Sequence, residues 1–146
     1  MIEKYLNYIK QPRAELDNHP ICPYAKKYFD TIWIWKTTNI EKSVKNFVAN
    51  FPINKKVVIL LSDPCKYDYK TLKFICNENQ TNTLWLAPDH PDHYNEINGV
   101  KTNNENYAMI LIQDRKELNK YSEKLKETTY YNFWSKEYYK EIVEER

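Results

Sequence analysis

The chain has 146 residues, enough for about one domain with a real core. Hydrophobic residues make up 42% and charged residues 29%, near the globular average, which excludes wholesale disorder. A net charge of +2 is too small to point to a nucleic-acid partner, because phosphate neutralisation needs a concentrated basic face.

Ile2, Tyr5, Leu6 and Ile9 recur at helical spacing and predict a short amphipathic helix over 2–10. Pro12 closes it, and 11–20 reads as a loop punctuated by Pro12 and Pro20. Proline suits a first helical position, so a second helix is expected from Cys22-Pro23 to about Phe29. Thr31 to Trp35 is a continuous apolar, β-favouring run, as expected of a strand covered on both faces. Asn39 caps a predicted helix whose buried stripe is Ile40, Val44, Phe47, Val48 and Phe51. Lys56 to Leu61 reads as a strand. Asp63-Pro64 then reads as a cap and helix start leading into Leu72, Ile75 and Cys76. Thr83 to Ala87 gives a third strand, a polar loop follows, and Tyr107 to Ile112 gives a fourth. Leu118, Tyr121, Ser122 and Leu125 mark the next helix, and Tyr130, Phe133, Trp134, Tyr138 and Ile142 a last one.

The order β-α-β-α-β-β-α with extra helices at both ends predicts a single α/β sandwich domain over 1–146, in a thioredoxin-like order. Helical crossovers should make the first three strands parallel. The longest apolar runs are strand-length, so no membrane span is expected. No basic region followed by an apolar run opens the chain, which sets the expectation of a cytoplasmic protein with its three cysteines as thiols. One glycine, Gly99, cannot build the Gly-rich loops of dinucleotide or P-loop enzymes.

Ligands of open α/β sheets gather outside the carboxyl ends of parallel strands. The third strand ends at Asp89-His90-Pro91-Asp92-His93. The helix after Cys22 runs straight into the first strand, so its N-terminus should point back to that rim. At a helix N-terminus Cys22 would feel the positive end of the dipole, which favours thiolate. His90 and Asp92 would then serve as base and orienter in an enzyme or redox-active protein. The plainer alternatives are a small buried hydrophobe at Cys22 and an ordinary turn at Asp89 to Asp92. All three histidines fall in the two segments, as His19-x-x-Cys22 and His90-x-x-His93. Three nitrogens and one sulfur suit tetrahedral zinc, so a zinc-binding module of His19, Cys22, His90 and His93 is the second reading.

Two resemblances attach to these residues. Cys22-Pro23-Tyr24-Ala25 looks like the Cys-Pro-Tyr-Cys of glutaredoxins with the resolving cysteine replaced, but it precedes the first strand where theirs follows it. More of the chain is covered by Ile21-Cys22-Pro23-Tyr24-Ala25, His90-Pro91-Asp92, Asn106-Tyr107 with Met109, and Arg115. In order over about residues 21 to 125, these resemble an uncharacterised bacterial family carrying Cys-Pro-Phe-Ala and His-Pro-Asp motifs. The resemblance implies that Cys22, His90, Asp92 and Arg115 form one set, with Arg115 holding an anionic substrate. It implies no particular activity, and it lends nothing to His19 or His93.

A third reading is a non-catalytic interaction protein. Tyr130, Tyr131, Phe133, Trp134, Tyr138 and Tyr139 make too wide a stripe for one helix face, so 130–146 is a candidate surface for a homodimer or protein partner. The alternative is that this segment wraps its own domain. Nucleic acid stays a distant fourth, since no recognised module is present.

Overall fold

A computed structural model describes residues 1–146. It opens with α1 (Ile2–Lys10), whose Ile2, Leu6 and Ile9 are buried as their spacing requires. The next stretch is more ordered than a loop. A short ladder pairs β1 (Pro12–Arg13) with β2 (His19–Pro20), and the chain reverses through left-handed Asp17 and Asn18. Then come α2 (Pro23–Lys27), a 3-10 turn at Phe29–Thr31 and β3 (Ile32–Lys36). They are followed by α3 (Ile40–Ala49), capped by the Asn39 side chain accepting from the Lys42 amide, and β4 (Val57–Ser62).

The following helix, α4 (Tyr69–Asn79), starts later than expected. Asp63 accepts from the Cys65 amide at 2.8 Å and closes a turn, while Asp68 caps the helix through the Thr71 amide. β5 (Leu84–Asp89) leads into a hairpin, β6 (Glu96–Ile97) and β7 (Val100–Lys101), and then into β8 (Ala108–Asp114). α5 (Arg115–Lys126) follows directly. The predicted last helix is broken into a 3-10 turn at Tyr130–Phe133, α6 (Lys136–Tyr139) and a π turn at Lys140–Glu144. No helix is long and apolar enough to cross a membrane.

The main sheet runs β3-β4-β8-β5. β3 and β4 are parallel neighbours, and β8 is antiparallel to both β4 and β5. The first three strands therefore share one direction, but β8 separates the third from the second. Ala108, Met109, Ile110 and Ile112 of β8 are fully buried on alternate faces, so this strand belongs in the interior of the sheet. β3 is an edge strand rather than a strand covered on both faces: Trp33 and Trp35 are 39% and 45% exposed. The other edge is guarded, because the Gln80 side chain pairs with the Leu86 N–H and C=O as a strand would.

Two cores result. Val57, Ile59, Leu61 and Met109 face α1, α2 and the C-terminal aromatics. Val58, Leu60, Ile110 and Ile112 face α3 and α4. Alternation along β5 sends Leu84 and Leu86 to the second core, which places Trp85, Ala87 and Asp89 on the first face. The α/β sandwich thus has a helical layer on each side of the sheet. Leu60 has no exposed surface and sits mid-strand, so Leu60→Ala should lower the unfolding free energy by about 2–5 kcal/mol in urea titration.

Candidate functional site

Cys22 stands at the start of α2 and caps it weakly, its Sγ accepting from the Ala25 amide at 3.4 Å. Its own amide donates to Ile9 O at 2.9 Å, which fastens the site to the end of α1. The expected dipole effect is opposed and beaten. α2 has five residues and little macrodipole, whereas burial among tyrosines pushes the Cys22 thiol up despite the helical amides that pull it down. Cys22 is therefore held as a thiol.

At the other segment, two consecutive buried asparagines organise the chain. Asn103 Nδ2 donates to His90 O and Pro91 O, and its Oδ1 accepts from the Asn95 amide. Asn104 donates its amide and Nδ2 to Asp89 Oδ2, at 2.9 and 2.8 Å. Asn104 Oδ1 takes the amides of Asn106 and Tyr107, so all its polar groups are satisfied. The hairpin between these points turns at Asn98-Gly99, both at positive φ, as a two-residue type I′ loop demands.

His90 is 1% exposed and fully committed. Its Nε2 lies 3.0 Å from Pro64 O, which can only accept, and its Nδ1 receives the Asp92 amide at 3.0 Å. These partners assign the neutral Nε2–H ring to a structural bridge between the ends of β4 and β5. Asp92 orients His90 through its backbone, while its carboxylate is 92% exposed and 3.9 Å from Nδ1. The His90 and Asp92 side chains are therefore not arranged as a base and orienter pair.

Asp89 takes the place expected of His90. A cavity of about 410 Å³ lies between the first face of the sheet and the C-terminal segment, and Cys22, Asp89 and His93 all line it. The two segments do meet, through Asp89 rather than His90. Most of the wall is apolar or aromatic, with Tyr5, Tyr24, Tyr130, Trp134 and Tyr138 prominent. The Tyr24 hydroxyl and the Trp134 indole N–H, both on this wall, are buried without a hydrogen-bond partner. The aromatic segment over 130–138 thus turns inward: Tyr130 donates its hydroxyl to Ile21 O, and its ring packs on Trp134 at 5.6 Å.

The remaining candidates lie apart. His19 Nε2 is 3.1 Å from Thr129 Oγ1, whose proton goes to Asp17, so His19 donates there. The His93 ring stacks on Tyr69 at 3.5 Å, and burial lowers its pKa. With His90 spent on Pro64 and Asp92, the set His19, Cys22, His90 and His93 is not assembled; no three His, Cys, Asp or Glu side chains gather at ligand spacing. Arg115 donates to Leu84 O at 3.3 Å and lies over the Trp85 ring. It therefore sits beside the first residue of β5, roughly 17 Å along the strand from Asp89 at 3.3 Å per residue. It does not share a site with the His90 segment.

Asp89 and Asn104 were missed by sequence reasoning, although Asn103-Asn104 in a turn-rich loop and Asn98-Gly99 as a hairpin turn were both visible. No family model matches the chain, and no curated protein or solved structure matches it either.

Burial pushes the Asp89 carboxyl up to about 6 from 3.8, against the hydrogen bonds of Asn104 and the His90 amide. A carboxyl with a raised folded pKa binds its proton more tightly when native, so ionising it costs stability. That cost is absent below the unfolded pKa, grows as pH rises from about 4 to about 6, and persists above. Asp89→Asn should therefore gain on the natural protein across that window, by at most about 3 kcal/mol and less where cavity water screens the charge. Urea unfolding on both sides of the window measures it; a difference independent of pH would remove the penalty. A second expectation concerns the thiols. Cys65 is exposed, and burial pushes Cys76 up to about 12. Timed iodoacetamide labelling of the native protein should modify Cys65 first, with Cys22 and Cys76 slower by about tenfold or more. Fast labelling at Cys22 would restore the thiolate.

Proposed function

We propose that the protein binds a small, largely apolar organic molecule in the cavity between the sheet and the C-terminal segment, with a polar group of the ligand anchored at Asp89. The observation that carries this reading is a carboxyl clamped by Asn104 on the wall of a cavity whose lining is mostly apolar and aromatic. Small-molecule sites have this make-up: an apolar lining of several hundred Å³ and a few placed polar groups. The unpartnered Tyr24 hydroxyl and Trp134 N–H add groups that a ligand would satisfy. Cys22 lines the cavity as a half-buried thiol, and nucleophilic chemistry is not its role in this reading.

Trp85 and Trp134 line the cavity, so their indole N–H resonances report occupancy. Titration with 2-phenylethanol and with 2-phenylethylamine should shift them, with at least one solute binding at a Kd of about 0.1–10 mM, the range open to so few atoms. Ala87 faces the cavity between Trp85 and Asp89, and Ala87→Leu should weaken that binding while the fold persists by circular dichroism. Absence of any saturable shift with either solute would end the proposal.

A further inference from the structure

The cavity reading leaves open which polar group meets Asp89, and the protein's own charges narrow it. Asp89 has no ion-pair partner: the chain's salt bridges are made elsewhere. The two basic side chains on the cavity wall are engaged, Lys73 with Glu141 at 3.4 Å and Arg146 with Asn119 at 2.6 Å. Of the neighbouring tyrosines, Tyr5 spends its proton on Thr102 O at 2.7 Å. Asn104 gives its backbone N–H and one Nδ2 N–H to Oδ2, with Nδ2 also donating to Tyr107 O, and no side chain is hydrogen-bonded to Oδ1. A half-buried carboxylate without a cation is costly, and the deficit is met when a bound group brings positive charge and N–H donors. Tyr5, Tyr69 and Tyr138 share the cavity wall with this carboxyl; burial above all raises their hydroxyl pKa values, and the Asp89 charge adds to each. Aromatic faces beside a carboxylate are the surroundings that favour an organic ammonium.

We infer, resting on the binding reading above, that the ligand is a small amine in its protonated form, its ammonium group against Asp89 and its apolar part among Tyr5, Tyr130, Trp134 and Tyr138. An anionic or neutral ligand would leave the carboxylate uncompensated. The groups facing Asp89 that also titrate are Tyr5 on α1, Tyr69 on α4, Tyr138 on α6, and the adjoining His90; His93, Cys22, Glu141 and Glu145 share its cavity. The tyrosines are raised away from neutrality, burial holds Cys22 as a thiol and His90 is committed at both ring nitrogens, which leaves His93 and the wall carboxylates Glu141 and Glu145 as the competing sources of pH dependence.

The test uses the full chain and a matched pair of similar size, 2-phenylethylamine and 2-phenylethanol, read through the tryptophan indole resonances. The amine should bind at least about tenfold more tightly than the alcohol at about pH 7.5, as a charged hydrogen bond does over a neutral one. Its affinity should fall about tenfold by about pH 5 as a carboxyl titrating near 6 takes up its proton, while that of the alcohol stays level. Asp89→Asn should bring the affinity of the amine down to that of the alcohol and remove its pH dependence, with the far-UV circular dichroism of the natural protein as proof of an intact fold. His93→Gln should keep the pH dependence. Equal affinities for the two solutes, or a preference that survives Asp89→Asn, would overturn the amine assignment and leave the cavity reading standing. Binding of neither solute would remove both.

Discussion

One carboxylate oxygen, Asp89 Oδ2, holds two N–H groups of Asn104, and the architecture of the sheet end depends on that clamp. Asp89 is the last residue of β5 and pairs in register with Met109 near the start of β8. Asn104 in turn gathers the amides of Asn106 and Tyr107, aiming the chain into β8. The clamp therefore joins the end of one strand to the start of its antiparallel partner, across a loop whose hairpin plants Ile97 and Val100 in the first core. A register slip by one residue would send Met109 and Ile110 to each other's faces, mixing the two cores. A half-buried charge is an expensive way to fix register, and the cavity beside it gives that charge a second use.

The same competition between burial and local electrostatics decides the other polar groups. At Cys22 a five-residue helix offers a weak dipole and the amides of Tyr24 and Ala25, and burial outweighs both. At His90 the outcome is satisfaction instead of perturbation: each ring nitrogen has one partner of the right polarity. A buried, fully satisfied histidine stabilises and has no proton to trade without losing a bond. The group with unused capacity is the neighbour, Asp89, because strand alternation turns it to the cavity while His90 reaches toward Pro64.

Much of the fold was legible because it follows from periodicity. Ile2, Leu6 and Ile9, or Ile40 and Val44, can be buried together only on a helix, and Val57 to Leu61 only in a doubly covered strand. The position of β8 was not legible as an adjacency, since strand order depends on which apolar strand wins the slot beside β4. Trp33 and Trp35 misled for the related reason that aromatic runs suit an edge as well as a centre, especially when the rings pack on Phe47. The candidate site was legible as a location, since Cys22, Asp89 and His93 line one cavity, but not in its members: His90 is spent on Pro64, the Asp92 carboxylate is exposed and Arg115 sits at the other end of β5. Reading the segment 89–93 correctly as a rim loop did not say which of two adjacent side chains pointed inward, and that single alternation separates a structural histidine from a carboxyl facing a cavity.

The cover of the cavity shows how weak local structure can still be held. Tyr130 to Glu144 carries a 3-10 turn, one turn of α-helix and a π turn, none of which is long enough to be stable by backbone hydrogen bonds alone. Rings do the holding: Tyr130, Tyr131 and Trp134 pack edge to face, and Trp134 tilts against Tyr138 at 4.5 Å. Such contacts contribute roughly 0.5–1.5 kcal/mol each beyond area burial, enough together to seat the segment. Tyr130, Trp134, Tyr138 and Ile142 follow i, i+4 spacing, the stripe that a continuous amphipathic helix would turn inward. The broken segment still carries all four to the cavity wall, so the sequence pattern sets which side chains face inward while ring packing, not an unbroken helical ladder, holds them there.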